Sequence, residues 1–362
     1  MLKKFFVAVI IGLFMLSAQL ASAEIPVDWN KAPRFNNRAD LARYIESERR
    51  KGETKFFVVL TDGLKTEDPN DFLSWAPAPH VEITWTYFND KTAQVIYKIK
   101  EYSGTRVANA YLSGKTAWLS QEEMQLYKVA VDIVKEAKKI SSPIKRERFI
   151  YDTICNRSTF YTEKNMDNAP NFTNAIGVLV DGKANCQGYT DAFYMLGRMC
   201  GFNVGRIIGN KGEHAWNWIE FDDGRTYCVD TTKGDDSVEK NIYYVYFNAP
   251  LEIMKPKHSW QWELIPKFQT VIDNRYAYRS LDELKQLSSA EDGLKFIAEK
   301  FAKENKKIVR VMTPFDERFS EANVQKAVDY IVDELNARKY NATFNLNVFQ
   351  CGNYLLFTAT II

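Results

Sequence analysis

Three residues with complementary chemistry stand out in the middle of the chain: Cys186, His214 and Asp230. A thiol becomes a strong nucleophile as the thiolate, which a neighbouring imidazole stabilises, and a carboxylate can orient that imidazole. Cys186 follows a Gly-containing turn and starts a helix predicted to run to Cys200. Free backbone N–H groups and the helix dipole favour a thiolate there and can stabilise an oxyanion. These residues predict nucleophilic attack on a carbonyl group.

His214 and Asp230 lie on two predicted strands that are joined by the loop 222–224. With a two-residue loop, Asp230 would lie on the opposite face of the sheet from His214. With a three-residue loop, Asp230 lies across from Trp216 and diagonal to His214, on the same face. Three-residue loops favour a type I turn closed by a left-handed glycine, and Gly224 provides one. We therefore predict the three-residue loop and an imidazole held by a carboxylate.

The other four cysteines, Cys155, Cys200, Cys228 and Cys351, have long and irregular spacings without a C-x-x-C pair. The first three are predicted to be core residues or disulfide partners, and a disulfide of Cys186 with Cys200 or Cys228 is the structural alternative. An odd cysteine count leaves one thiol unpaired unless chains cross-link. With three scattered histidines, no zinc site is expected, and neither a metal nor a cofactor is predicted.

Three sequence blocks around these residues resemble the transglutaminase-like domain of bacterial secreted proteins, a branch of the papain-like thiol superfamily. The blocks are GKANCQGY at 182–189, HAWN at 214–217 and YCVDTT at 227–232. The resemblance covers roughly residues 119–268. It implies Cys186 as nucleophile, His214 as general base and then acid, and Asp230 as the orienting carboxylate.

Further residues are assigned only by position. The family often has a second oxyanion donor before the nucleophile, and Tyr161 is a candidate for it and for the substrate cleft. Trp216, on the predicted face of His214, is the other cleft candidate. Core packing is the alternative for both aromatic residues. His258 follows the predicted closing strand and is interpreted as structural or exposed.

The predicted fold class is α+β: a central papain/transglutaminase-like domain of helices on an antiparallel sheet, flanked by two small α+β domains. The flanks both have an α-β-α-β-β pattern, which we interpret as a repeat, with two unrelated small domains as the alternative. The predicted boundaries are residues 1–23 for a signal peptide, 24–116 for the N-terminal domain, 117–268 for the catalytic domain and 269–362 for the C-terminal domain.

Residues 1–23 contain two lysines, an apolar run and Ala21-Ser22-Ala23, which is typical of a secretory signal. Without Lys3 and Lys4, 46 basic residues balance 46 acidic ones, so no attraction for nucleic acid is predicted. The expected location is periplasmic or extracellular, with no stable membrane span.

The sequence as a whole predicts an exported thiol enzyme that cleaves amide bonds through an acyl-thioester on Cys186. Hydrolysis is preferred because an exported protein meets abundant water, and transamidation stays open. The expected partner is a protein or peptide substrate, including cell-envelope material. The alternative is a non-catalytic transglutaminase-like adaptor of the cell envelope.

Overall fold

The computed structural model describes most of the chain apart from its first residues and several internal segments. The described ranges are 27–61, 64, 79–89, 92–161, 170–236, 241–249, 251–255, 257–259, 284–304, 306–351 and 353–362. The predicted signal peptide, 1–23, and the predicted boundary at 268/269 lie outside them. None of the described helices combines the length and the apolarity that crossing a bilayer requires.

The N-terminal part is a four-stranded sheet with the order β1-β2-β4-β3, in which β1 is parallel to β2 and the other pairs are antiparallel. Its elements are β1 Arg34–Phe35, α1 Arg38–Lys51, β2 Lys55–Thr61, β3 His80–Asn89 and β4 Thr92–Lys100. Asn37 caps α1 by accepting from the N–H of Asp40, and the helix ends at Gly52, whose φ of 99° is left-handed. Apolar residues of α1 and of the sheet form one core.

The central part contains the helices α2 to α7 and three small sheets. Its elements are α2 Ser103–Ser113, α3 Gln121–Ala137, α4 Pro143–Arg157, β5 Thr159–Phe160, β6 Lys183–Ala184, α5 Cys186–Met199, β7 Asn203–Gly209, β8 His214–Glu220, β9 Thr226–Val229, α6 Thr231–Gly234, β10 Asp235–Asp236, β11 Asn241–Ile242 and α7 Leu251–Met254. A capping box begins α3, since the side chains of Ser120 and Glu123 each accept from the other's backbone N–H. Pro143 is the first residue of α4, where a missing backbone N–H costs nothing.

Helix α5 is the centre of this part and is buried at every residue from Gly188 to Met199. The helices α2 and α4 pack on it from one side, and the antiparallel sheet β7-β8-β9 packs on the other. Gly188 permits the close approach of the preceding segment, because a Cβ there would lie 2.7 Å from the carbonyl oxygen of Phe172. The start of α5 is thus anchored in a dense core.

The C-terminal part is a second four-stranded sheet, β12-β13-β15-β14, with β12 parallel to β13 and the other pairs antiparallel. Its elements are β12 Lys285–Gln286, α8 Ala290–Glu304, β13 Ile308–Pro314, α9 Val324–Ala337, β14 Phe344–Cys351 and β15 Tyr354–Ile361. The helix-strand-helix-hairpin order predicted for this segment is observed.

The α+β class predicted from the sequence is confirmed. The two outer sheets share strand order and directions, as a repeat would require, and the repeat and the domain boundaries stay predictions. Helix α2, which the prediction assigned to residues 24–116, contributes Val107 and Ala108 to the central core rather than to the N-terminal one.

Candidate active site

Cys186 is the first residue of α5, and its side chain is partly accessible. Asn185 caps this helix: its Oδ1 accepts from the N–H groups of Gln187, at 3.0 Å, and Gly188, at 3.3 Å. No described residue accepts a hydrogen bond from the N–H of Cys186. That N–H and the positive end of the helix dipole can therefore stabilise negative charge on a bound carbonyl oxygen.

The hairpin β8–β9 places His214 and Asp230 as the turn chemistry predicts. Residue Asn217 pairs with Val229, so the same register brings Asp230 across from Trp216. At the loop, the N–H of Phe221 donates to the carbonyl of Arg225, and Gly224 has a left-handed φ of 69°. The predicted three-residue loop is confirmed. A loop one residue shorter would have turned the carboxylate away from the imidazole.

His214 connects the thiol to the carboxylate. Its Nε2 lies 2.7 Å from Asp230 Oδ2, and the Cys186 thiol lies close enough to the ring to raise its pKa. Because Nε2 faces Asp230, Nδ1 is the nitrogen that serves the thiol. Burial alone lowers the pKa of His214, but the hydrogen bond with Asp230 and the neighbouring Cys186 outweigh burial and raise the pKa to about 9. At neutral pH the site therefore favours an imidazolium next to the sulfur.

Asp230 is fully buried and is held from several sides. Its Oδ1 accepts from the N–H of Lys233 at 3.1 Å, which also caps α6, and its own N–H donates to the carbonyl of Tyr246 at 3.0 Å. Burial alone raises the pKa of Asp230, but hydrogen bonds from His214 and His258 outweigh it and hold the pKa well below the usual range. The carboxylate is ionised and fixed.

His258 is a residue of this site that the sequence analysis left out. Its Nε2 lies 2.9 Å from Asp230 Oδ2 and its Nδ1 lies 3.2 Å from the carbonyl oxygen of Met254. The ring is 3 % exposed, so the exposed alternative in the sequence prediction is wrong. No motif spacing marked this histidine, and its presence in the segment after the hairpin was the single available signal.

The segment that carries His258 is tied to the turn before β8. The N–H of Asn210 donates to the carbonyl of Ser259 at 2.8 Å, and the N–H of Ser259 donates to Asn210 Oδ1 at 2.7 Å. Asn210 has a positive φ of 51°, a conformation that asparagine tolerates better than most residues. These two hydrogen bonds fix the position of His258 relative to His214.

The structure corrects the assignment of Trp216 to the substrate cleft. Trp216 is 1 % exposed, and its ring lies under the two imidazoles, with centroids 5.6 Å from His214 and 4.8 Å from His258. Tyr161 is partly exposed, and its N–H donates to the carbonyl of Ala184, two residues before the cysteine. Tyr161 stays a cleft candidate, while Trp216 is a core residue that supports both rings.

His214, Asp230 and His258 also form the one group among the described residues with a metal-like cluster of donor atoms, all within 4.8 Å of one another. Both Nε2 atoms lie within hydrogen-bond distance of the same oxygen, at 2.7 and 2.9 Å. The donors satisfy one another as a hydrogen-bond network, which the chemistry of a carboxylate between two imidazoles explains without a metal.

The described cysteines Cys155, Cys186, Cys200 and Cys228 are free, so the disulfide alternative for Cys186 is wrong. The other three are buried. Burial raises the pKa of Cys155 and of Cys228 well above the usual range, and it raises that of Cys200 to about 11. Among these four, Cys186 is the thiol with both access and a neighbouring base.

Comparisons with known proteins agree with this geometry over the central part. Residues 129–231 match the model of the transglutaminase-like superfamily, which confirms the resemblance for a segment that contains all three site residues. No curated protein matches the chain.

Among solved structures, a TGase has a TM-score of 0.28 at 15% identity, covering 56% of this chain and 59% of that one. A provisionally assigned cysteine protease from Cytophaga hutchinsonii has a TM-score of 0.25 at 14% identity, covering 50% of this chain and 67% of that one. A provisionally assigned protease from Parabacteroides distasonis has a TM-score of 0.22 at 9% identity, covering 85% of this chain and 65% of that one. The chain thus spans about three fifths of the TGase, and likenesses at these TM-scores say nothing about activity.

Proposed function

We propose, from the transglutaminase-like match over residues 129–231, that this chain is an exported thiol enzyme that attacks amide bonds of protein or peptide substrates. The observation that carries the proposal is one arrangement, in which the partly accessible thiol of Cys186 lies close enough to His214 to raise its pKa and His214 is hydrogen-bonded to buried Asp230. A nucleophile, a base and an orienting acceptor in this order are what acyl transfer through a thiol requires.

The acylation step uses these groups in turn. The thiolate of Cys186 attacks the amide carbon, and the N–H of Cys186 stabilises the oxygen on which negative charge develops. The His214 imidazolium then donates its Nδ1 proton to the leaving nitrogen, and the C–N bond breaks. The products are a free amine and an acyl-thioester on Cys186, with His214 neutral and still oriented by Asp230.

The second step decides between hydrolysis and transamidation. In hydrolysis, neutral His214 takes a proton from water, the hydroxide attacks the thioester, and the C–S bond breaks to give a carboxylic acid and the thiolate–imidazolium pair. An amine in place of water would give a new amide. We favour hydrolysis, because an exported protein meets abundant water, and we expect the substrates to be proteins or peptides of the cell envelope or its surroundings.

Alkylation by iodoacetamide at neutral pH, followed by intact mass, tests the site without knowledge of the substrate. We expect one rapid modification in the wild type, none in Cys186→Ala, and a rate reduced by roughly 10–100-fold in His214→Ala. Cys200→Ala is the matched control and retains the rapid modification. Equal rates in the wild type and in His214→Ala would overturn the proposal.

A second assay tests the reaction. The purified protein is incubated with denatured proteins, with and without a labelled primary amine. Peptide fragments that form in the wild type and not in Cys186→Ala support hydrolysis, whereas Cys186-dependent incorporation of the amine indicates transamidation. A reactive Cys186 together with neither product across a broad protein set would favour the adaptor alternative, because adaptors bind without turnover.

A further inference from the structure

His258 faces hydrogen-bond acceptors with both of its ring nitrogens. Nδ1 is 3.2 Å from the carbonyl oxygen of Met254, which can only accept, and Nε2 is 2.9 Å from Asp230 Oδ2. The same Oδ2 atom lies 2.7 Å from His214 Nε2. A neutral imidazole has one N–H and one lone pair, so it can satisfy only one of the two acceptors around His258.

Two proton arrangements satisfy both contacts: an imidazolium at His258 beside ionised Asp230, or a neutral His258 beside a protonated Asp230. The second arrangement requires a protonated Asp230. Burial raises the pKa of this carboxyl, but the hydrogen bonds with His214 and His258 outweigh burial and hold the pKa well below the usual range, so the carboxylate is ionised. Oδ1 cannot take the proton as a donor to its neighbour, since it accepts from the N–H of Lys233. The imidazolium arrangement satisfies all three donors around the carboxylate.

We propose that His258 is a positioning residue: a buried imidazolium that holds Asp230 Oδ2 between two rings and balances its negative charge. The role rests on the proposed function only in assigning proton transfer to His214. By sharing the carboxylate, His258 limits how strongly Asp230 retains the proton on His214, and so keeps that proton available for the leaving group.

The groups that face these three residues support a local effect. Around His258, the rings of Trp216 at 4.8 Å and Tyr246 at 5.0 Å are uncharged at neutral pH, and His214 lies 5.6 Å away between ring centroids. The Asp230 charge also acts on three buried groups that are neutral near pH 7, and these are Tyr151, Cys155 and Cys228. Cys186 acts on His214 from the other side. Removal of the His258 charge therefore leaves Asp230 to act on His214 with less competition.

The experiment is ¹⁵N NMR of the histidine ring nitrogens against pH. The chain has three histidines, and His80→Gln completes the assignment. We expect two protonated nitrogens on His258 across the neutral range. In His258→Gln, which keeps an N–H for Asp230 and removes the charge, we expect the titration midpoint of His214 to rise by about one pH unit or more. Lys257→Gln, which removes an exposed charge one residue earlier, is the control and leaves that midpoint unchanged.

A neutral His258 in the wild type, or the same His214 midpoint in His258→Gln and the wild type, would overturn the proposal. His258→Phe removes both donor and charge, and a normal His214 midpoint in folded His258→Phe would have the same consequence. The NMR measurement does not depend on turnover. A protein that titrates as expected but has no activity would therefore refute the proposed enzyme and retain the role of His258. An active protein that does not titrate as expected would retain the proposed enzyme and refute the role of His258.

Discussion

The two outer sheets have the same strand order and are attached to the central part by opposite kinds of chemistry. The N-terminal unit is joined through an ionic seam, which consists of Glu46, Arg49 and Arg50 of α1 together with Glu101 and Tyr194. The C-terminal unit is joined mainly through an apolar seam, in which Met312 and Leu356 enter the cluster that contains Trp216. Two hydrogen bonds accompany this seam, from Arg310 to the carbonyl of Ile242 and from Asn347 to the hydroxyl of Tyr243. One topology thus serves two different interfaces.

The ionic seam is centred on a buried pair. Arg49 donates from Nε and Nη2 to the two carboxylate oxygens of Glu101, at 2.6 and 2.8 Å, with both side chains under 5 % exposed. Arg50 adds a bond to the backbone carbonyl of Val204 at 2.8 Å. Such a bidentate pair fixes orientation, although its desolvation offsets much of its attraction.

The apolar seam supports the candidate site. Met312, Leu356, Met254 and Trp216 belong to one buried cluster, and the Trp216 ring lies beneath His214 and His258. The C-terminal unit thus belongs to the packing that supports the two imidazoles. The N-terminal unit instead contacts the chain towards the end of α5, away from Cys186. The geometry of His214 and His258 should therefore be sensitive to changes in the packing of the C-terminal unit and tolerant of changes in the N-terminal unit.

The largest expected effect comes from breaking the ionic seam on one side. Glu101→Gln leaves the buried Arg49 charge with Glu46, 3.9 Å away, as its remaining counter-charge, and we expect a loss of about 3–5 kcal/mol in the free energy of unfolding, measured with urea. Arg49→Met combined with Glu101→Leu should cost far less, because no charge stays buried. A double variant as unstable as the single one would show that the seam does not act as an ion pair.

The apolar seam should respond to loss of volume. Leu356→Ala is expected to cost about 2–4 kcal/mol, because its cavity opens in the cluster beneath the imidazoles. It should also slow alkylation of Cys186 severalfold under folding conditions, whereas Arg49→Met/Glu101→Leu should not. Leu112→Ala, at a position that is 53 % exposed, is the matched control and should change stability by under about 0.5 kcal/mol. Equal alkylation rates in all these variants would contradict the support role.

The smallest expected effect is a difference in pH dependence between the stability contributed by His214 and that contributed by the ionic seam. The pKa of folded His214, about 9, exceeds its value of roughly 6.5 in an unfolded chain, so its contribution is complete below about pH 6.5 and is lost as the pH rises through 9. The unfolding free-energy difference between wild type and His214→Gln should therefore be larger at about pH 6 than at about pH 9.5, by about 2 kcal/mol. The corresponding difference for Arg49→Met should stay constant, because a guanidinium keeps its charge over this range. A constant difference for His214→Gln as well would contradict the contact with Asp230.

What could be predicted from the sequence is what local rules determine. The helix that starts at Cys186 follows from the Gly-containing turn before it, and the meeting of His214 with Asp230 follows from the loop 222–224 and strand alternation. Alternation tells which residues share a face, but not whether that face is covered. Trp216 was therefore misassigned, because what covers it comes from residues about 40 and 100 or more positions further along the chain, His258 and the apolar seam.

The role of His258 in the site was missed by the sequence analysis for a related reason. Its contact with Asp230 depends on the path of the chain after α7 and on the bond between Asn210 and Ser259, and no hydrophobic period or turn signal encodes either. The similarity of the two outer sheets could be predicted from the α-β-α-β-β pattern of the flanks. The chemistry of their attachment could not, because each seam joins residues that are far apart in the sequence.

The reciprocal pairing of Asn210 with Ser259 has a consequence for how the protein comes apart. A segment after a short helix usually frays before the sheet beside it, yet this one is hydrogen-bonded to the turn that precedes the hairpin of His214 and Asp230. His214 and His258 should accordingly lose their hydrogen bonds to Asp230 in a single cooperative step. Partial denaturation should then give molecules in which both hydrogen bonds are intact or both are broken.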